Sequence, residues 1–332
     1  MLTVLVDIGI NGAFLTRRWE EPANWMRLTA ELGYSYQSFC ADVLDPFFSG
    51  DRGYQLEAAA QAREAAARYG VTIWDVYTGV ATHRFHGLSH SDPRCRKRMQ
   101  DWIVECYDLC VALGTPRLGG HWDAFSCEVL ESPERTAEAW DRIVGTFRDL
   151  AVLAQARGLT ALYNEQMYIP SEIPWTLEQS ERFLREANMA RAGAPVLLTL
   201  DVGHQAGMHY GLTGADLDYL EWVRRFGAFT EILHLQQTTP DASHHWPFTE
   251  EFNQRGHVRI PALLEALEWS HQHADESPLA GTLAPCDTCI LIGEWIPGST
   301  KTEERLLQEL RTSARYLREF VPEGGLKLSV GS

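Results

Sequence analysis

Along this chain, short runs of consecutive apolar residues alternate with longer stretches in which apolar positions recur every three or four residues. The short runs predict strands at 3–8, 34–39, 71–77, 115–119, 159–165, 196–201, 230–235 and 289–294. The longer ones predict helices near 20–32, 54–69, 93–113, 132–157, 176–190, 215–226, 260–273 and 301–320. Within 93–113, Trp102, Ile103, Cys106, Leu109, Cys110 and Leu113 share one face, as a buried stripe requires. Gly33, Gly70, Gly114 and Gly158 each follow a helical run, where a C-terminal cap belongs. Eight strands in strict alternation with eight helices imply an α/β protein, a closed parallel (β/α)8 TIM barrel. No Gly/Ser-rich linker or composition break divides 1–332, so one domain is expected. A doubly wound dinucleotide fold fits less well, because Gly9-Ile10-Asn11-Gly12 lacks the Gly-rich fingerprint.

Four apolar runs of the second half each end in a residue that can bind a metal: Glu165, Asp201, His234 and Glu294. Carboxyl ends of successive barrel strands converge on one face, so residues far apart in sequence can surround one ion there. The spacings are 36, 33 and 60 residues. The first two match a strand-helix unit. The third needs a unit plus extra loop, supplied by 235–257 and 274–288, which are polar and without periodicity.

Composition narrows the partners. A formal charge of -16 opposes nucleic-acid binding, and the one basic run, Arg94-Cys95-Arg96-Lys97-Arg98, reads as a solvated helix start. No stretch approaches the roughly 20 apolar residues of a membrane span. Met1 to Asp7 reads as a strand rather than a signal peptide, and seven irregularly spaced cysteines suit reduced thiols, so a cytoplasmic location is expected. Cys286 and Cys289 form a lone Cys-x-x-Cys, too little for structural zinc. A homo-oligomer remains open.

Two glutamates, an aspartate and a histidine make a hard, oxygen-rich site for one divalent ion, Mn²⁺ first, with Mg²⁺ or Co²⁺ as alternatives. Such an ion stabilises the enediolate formed when a proton leaves the carbon between a carbonyl and a hydroxyl. That suggests a small hydroxy-ketone or hydroxy-aldehyde as substrate. Glu165 and Glu294, from the fifth and eighth strands, are the candidate catalytic acid and base, and two opposed carboxylates would allow inversion at carbon. His204, in Asp201-Val202-Gly203-His204, is a candidate substrate-hydroxyl partner. His121 and Trp122 close strand four after paired glycines, where backbone could approach a ligand, and are candidate substrate-binding residues, as are His245 and Trp246. In the 235–257 loop, His244, His245 and Trp246 could cover the pocket or meet an anion. With only Lys97, Lys301 and Lys327 present, phosphate binding would fall to backbone amides and to arginines such as Arg84, Arg255 and Arg259.

These motifs resemble the xylose isomerase-like barrel superfamily, particularly its sugar and sugar-phosphate isomerases and epimerases such as the ketose 3-epimerases. The resemblance spans nearly the whole chain. It implies a metal held by Glu165, Asp201, His234 and Glu294, with His204 binding substrate through the Asp-x-x-His motif. One departure stands out: related ketose 3-epimerases place an arginine about six residues after the strand-seven histidine, and here Pro240 occupies that position. His245 to Phe248, with Asn253, resemble a branch acting on short sugars, erythrulose phosphates among them. The expected function is thus metal-dependent isomerisation or epimerisation of a small ketose or sugar phosphate. A lyase on the same barrel, a dehydratase or a carbon-glycoside-cleaving enzyme, is the alternative, ahead of an endonuclease or a non-catalytic scaffold.

Overall fold

A computed structural model describes residues 2–79, 82–83, 85–189 and 192–330. Eight parallel strands form the barrel: β1 (Leu2–Asn11), β2 (Tyr36–Cys40), β3 (Thr72–Tyr77), β4 (Arg117–Gly120), β5 (Ala161–Glu165), β6 (Val196–Asp201), β7 (Ile232–Leu235) and β8 (Thr288–Gly293). Each pairs with the next, and β1 closes the ring by pairing with β8 along Leu5 to Ile10 and with β2 along Gly9 to Asn11. The outer layer is α1 (Pro22–Leu32), α2 (Arg52–Tyr69), α3 (Pro93–Leu113), the one-turn α4 (Cys127–Leu130), α5 (Pro133–Ala156), α6 (Leu177–Ala187), α7 (Tyr219–Phe226), α8 (Glu250–Arg255), α9 (Ile260–Gln272) and α10 (Glu303–Arg318). The stripe predicted on α3 is buried at all six positions.

The predicted strands at 34, 71, 115 and 159 begin one or two residues early, for a common physical reason. The N–H groups of Tyr34, Val71, Thr115 and Leu159 each bond back to the carbonyl five residues earlier, closing the preceding helix. All four are buried as the chain turns from helix to strand, so such a residue extends the buried run without belonging to the strand. Two further differences are additions. A ninth strand, β9 (Leu326–Val330), pairs antiparallel with the first half of β1. The segment read as irregular at 235–257 contains α8 and a backbone bridge in which Gln237 and Trp246 exchange N–H···O bonds of 2.8 and 3.1 Å.

The amino end of the barrel is plugged by polar side chains. Arg117 pairs with Glu231 at 2.9 Å and lies over the Trp74 ring, while the Tyr163 hydroxyl donates to Glu231. The opposite, carboxyl end is where the candidate chemistry gathers. Among the described residues, no helix is long and apolar enough to cross a membrane.

Candidate metal centre

Strand register decides which side chains meet. Asp201 at the end of β6 is directly paired with His234 of β7, and Leu235 with Gly293 of β8. Glu294 lies one residue beyond β8, its N–H donating to the Leu235 carbonyl at 2.9 Å. Glu165 ends β5. One donor atom from each of Glu165, Asp201, His234 and Glu294 lies within 4.8 Å of the others, and all four residues are buried. His234 is central: its Nδ1 is 3.0 Å from Glu165 Oε1 and 3.4 Å from Glu294 Oε2. The Tyr77 ring crosses the barrel from β3 to meet His234 edge-on at 4.6 Å.

Three buried carboxylates in one place repel one another and have lost their water. Burial alone would raise the Glu294 carboxyl, yet His234, His245 and His204 hold it well below the usual carboxylate range. Glu165 is likewise pulled down against burial and Glu294, chiefly by His234. Burial keeps Asp201 raised. The imidazole of His234 rises in turn, because burial is outweighed by Glu294 and Glu165. Asp201 Oδ2 and His234 Nε2 have no hydrogen-bond partner although fully enclosed. Unpartnered buried donors and a surplus of carboxylate are what a cation site requires, and an O,O,O,N donor set suits a hard divalent ion. The residues therefore fit one metal ion.

The cluster is braced by amides. Gln166 Oε1 accepts the Asp201 N–H at 2.8 Å, and its Nε2 donates to the His204 carbonyl at 3.0 Å. Gln236 Nε2 donates to Asp201 Oδ1 and to Ser243 Oγ, both at 2.9 Å, while its Oε1 accepts the His245 N–H at 2.7 Å. Asn11 Nδ2 reaches Glu294 Oε1 at 3.2 Å from β1. A Cβ on Gly203 would stand 2.3 Å from the Gln236 amide, so only glycine lets the β6 turn pass this brace. None of these amides is visible from periodicity; the available signal is position, since Gln166 directly follows Glu165 and Gln236 lies two residues after His234.

His204 is brought to the cluster. Its Nδ1 bonds the Gln166 carbonyl at 2.8 Å, and its Nε2 is 3.9 Å from Asp201 Oδ2. His245 is brought there too, with Nδ1 3.5 Å from Glu294 Oε2. Its backbone is left-handed at φ 51°, uncommon for a residue with a Cβ and held here by the Gln236 bond. His121 is buried at the end of β4, stacked on His83 at 5.5 Å. Trp122 is buried with its ring stacked on Phe147 of α5 at 5.3 Å, so its described contacts run outward. Trp246 lies flat between His244, at 3.9 Å, and Phe252, at 5.1 Å. Gly120 makes room for a side chain, since a Cβ there would meet Thr78 Oγ1 at 1.6 Å. Arg84 lies outside the described residues. Arg255 covers the Trp246 ring at 4.4 Å, and Arg259 donates to the Gly256 and Val258 carbonyls. The reading of residues missed His83 and Glu172, whose side chains approach to 3.7 Å on loops after β3 and β5.

Comparison with known proteins follows the same architecture. A D-erythrulose 1-phosphate 3-epimerase from Brucella abortus (strain 2308) is 26% identical over 202 residues, 61% of this chain and 64% of that protein, so the match spans less than two thirds of the relative. A provisionally described xylose isomerase from Rhodospirillum rubrum superposes with a TM-score of 0.81 at 22% identity, covering 96% of this chain and all of that one. A D-psicose 3-epimerase from Clostridium cellulolyticum, solved with D-tagatose, gives 0.63 at 18% identity, covering 94% and 98%. The model of the xylose isomerase-like TIM barrel family matches residues 26–270, and the chain belongs to that family.

Proposed function

We propose that this chain, acting as one domain over 1–332, is a metal-dependent epimerase or isomerase of a small ketose or sugar phosphate. The observation that carries the reading is that Glu165, at the end of β5, and Glu294, just beyond β8, reach one imidazole nitrogen from different strands, at 3.0 and 3.4 Å. Carboxylates so placed can address two faces of one carbon. Glu165, Asp201, His234 and Glu294 would hold the ion, Mn²⁺ by preference. When bound, the ion supplies positive charge that acidifies the C–H between a carbonyl and a hydroxyl.

The protein's own groups do the rest. One glutamate takes the proton from that carbon, leaving an enediolate, and the other, ionised in the free site and protonated from solvent before substrate binds, returns that proton to the opposite face. The double bond collapses back to the ketone with inverted configuration, and no atom is gained or lost. His204, its Nδ1 committed to the Gln166 carbonyl, presents Nε2 to a substrate oxygen. Burial of Glu165 keeps bulk water from diverting the intermediate. The erythrulose-phosphate and psicose epimerases among the similar proteins support this reaction class.

Incubating metal-loaded protein with a tetrulose, a pentulose and their phosphates in deuterium oxide tests it. Deuterium should enter at the hydroxyl-bearing carbon next to the ketone as the epimer forms. Absence of exchange with every ketose would overturn the proposal, and loss of water or of an aglycone would assign a lyase.

A further inference from the structure

After β3, β4 and β5, the mouth of the barrel carries a second polar group that the reaction above does not use. His121 is 1% exposed, and among the described residues neither of its ring nitrogens has a hydrogen-bond partner. His83 stacks on it with centroids 5.5 Å apart and planes 19° from parallel, and His83 Nδ1 lies 3.7 Å from Glu172 Oε1. Among the described residues, no Lys or Arg makes an ion pair with this trio. The group lies at the same end of the barrel as the cluster, because Gly120 pairs with Asn164 and His121 therefore follows beside Glu165.

A buried imidazole with two idle nitrogens lacks about two hydrogen bonds, and buried polar groups are seldom left so. A ligand must therefore present one acceptor and one donor together. We infer that His121 and His83, braced by Glu172, form the subsite for the uncharged, hydroxyl-bearing end of the sugar, and so set specificity at a carbon outside the ketone and its epimerised neighbour. This rests on the site being a ketose pocket.

Charge decides between a hydroxyl and a phosphate. Burial pushes His121 down to about 4, with His83 adding to the effect against Glu172, so its ring is neutral and offers one N–H and one lone pair. A sugar hydroxyl can meet either edge of the ring, as acceptor at the N–H or as donor at the lone pair. A phosphate dianion offers only acceptors, so it can serve only the N–H edge, and it would be repelled by Glu172. The Glu172 carboxyl is held below its usual range despite burial by His83 and His121, while His83 is raised against burial by Glu172, so those two neutralise each other.

The test compares dissociation constants of metal-loaded protein for a tetrulose, its 1-deoxy analogue and its 4-deoxy analogue. The ketone fixes the orientation, so one analogue alone should bind roughly ten- to a hundredfold weaker than the parent sugar. In His121→Phe, which keeps the stacked ring and removes both nitrogens, that discrimination should fall below about threefold. In His121→Gln, which still donates and accepts, most of it should return. His83→Phe, at a less buried position, should reduce it partially even if His121→Phe does not fold. Equal binding of all three sugars, or full discrimination retained in His121→Phe or in His83→Phe, overturns the subsite and leaves the epimerase reading standing. Failure to bind any of the three overturns both.

Discussion

Two halves of the barrel bury carboxyl groups and treat them oppositely. In the β3 and β4 units, burial pushes Asp75 and Asp123 up to about 7, against weaker opposing groups such as His234 for Asp75 and the Ser89 N–H for Asp123. In the β5 and β8 units, Glu165 and Glu294 are as deeply enclosed, yet imidazoles hold both low. Burial is therefore not the discriminating property. A buried carboxyl whose cationic neighbours are outweighed by burial, as at Asp75, Asp123 and also Asp201 of β6, is pushed toward its protonated form, whereas Glu165 and Glu294, each faced by more than one imidazole, stay ionised and can bind a cation or move a proton. The first half supplies the neutral and aromatic side of the pocket, including Tyr77 against His234, and the second half supplies its charge.

The sharpest break of this contrast is to remove charge from the second half. Glu165→Gln and Glu294→Gln should each lower kcat by about 10² to 10⁴, the range expected when a positioned acid or base is lost. His204→Ala should act mainly on KM, because its assigned role is orientation. Steady-state rates on proteins matched for metal content check this, and near-normal kcat in either glutamine variant would remove the two-carboxylate mechanism.

A smaller effect should come from the brace. Gln236→Ala frees Asp201 Oδ1, Ser243 and the His245 N–H together, so metal affinity should weaken about 10- to 100-fold, as is usual for groups that orient ligands. Deleting 241–250 should weaken metal binding for the same reason. The loop after β7 is thus a support tied to the site by Gln236 and by the Gln237–Trp246 bridge. Metal titration decides: unchanged affinity with lost turnover would make the loop a cover instead.

What could be read from residues alone follows the same physics. Glu165, Asp201, His234 and Glu294 were legible because each ends an apolar run, and barrel topology converts that linear fact into a shared location. Gln166 and Gln236 carry no such mark, since their roles depend on which carbonyls and carboxylates the β5 and β7 loops fold against. His83 and Glu172 sit in loops whose direction is set by tertiary contacts. Of the aromatic pair after β4, His121 stacks on His83 and Trp122 on Phe147 of α5, the two faces that successive residues of an extended chain address. β9 was invisible because its half-exposed alternation follows a complete count of eight strands.

The first half makes a prediction about stability and pH. The Asp123 carboxyl is raised in the folded state, so its contribution is fully present below the unfolded value near 4 and is lost as pH rises to about 7. Between those limits the parent should lose at most about 1.4 kcal/mol per pH unit relative to Asp123→Asn. The asparagine oxygen can still accept the Ser89 N–H, now bonded at 2.7 Å. Urea melts at pH 4 and pH 8 should show the variant gaining on the parent only at the higher pH. Equal gains at both would mean that Asp123 is ionised when folded, and the contrast between the halves would fail there.

The smallest effect separates support from recognition at the edge of the charged half. Arg255 covers Trp246 at 4.4 Å and pairs with Glu251 at 3.3 Å, both side chains being more than half exposed. A cation–π contact of this kind contributes about 0.5–1 kcal/mol, and an exposed ion pair adds little. Arg255→Ala should therefore lower the melting temperature by a few degrees at most while leaving metal affinity unchanged. The informative measurement is KM for a ketose and for its phosphate, side by side. If Arg255 only holds the Trp246 stack, both constants should move together and by less than about twofold, since a shift of 1.4 kcal/mol is needed for tenfold. A rise confined to the phosphorylated sugar would instead place the phosphate beside α8. Recognition would then extend past the ionised carboxylates to the loop that supports them.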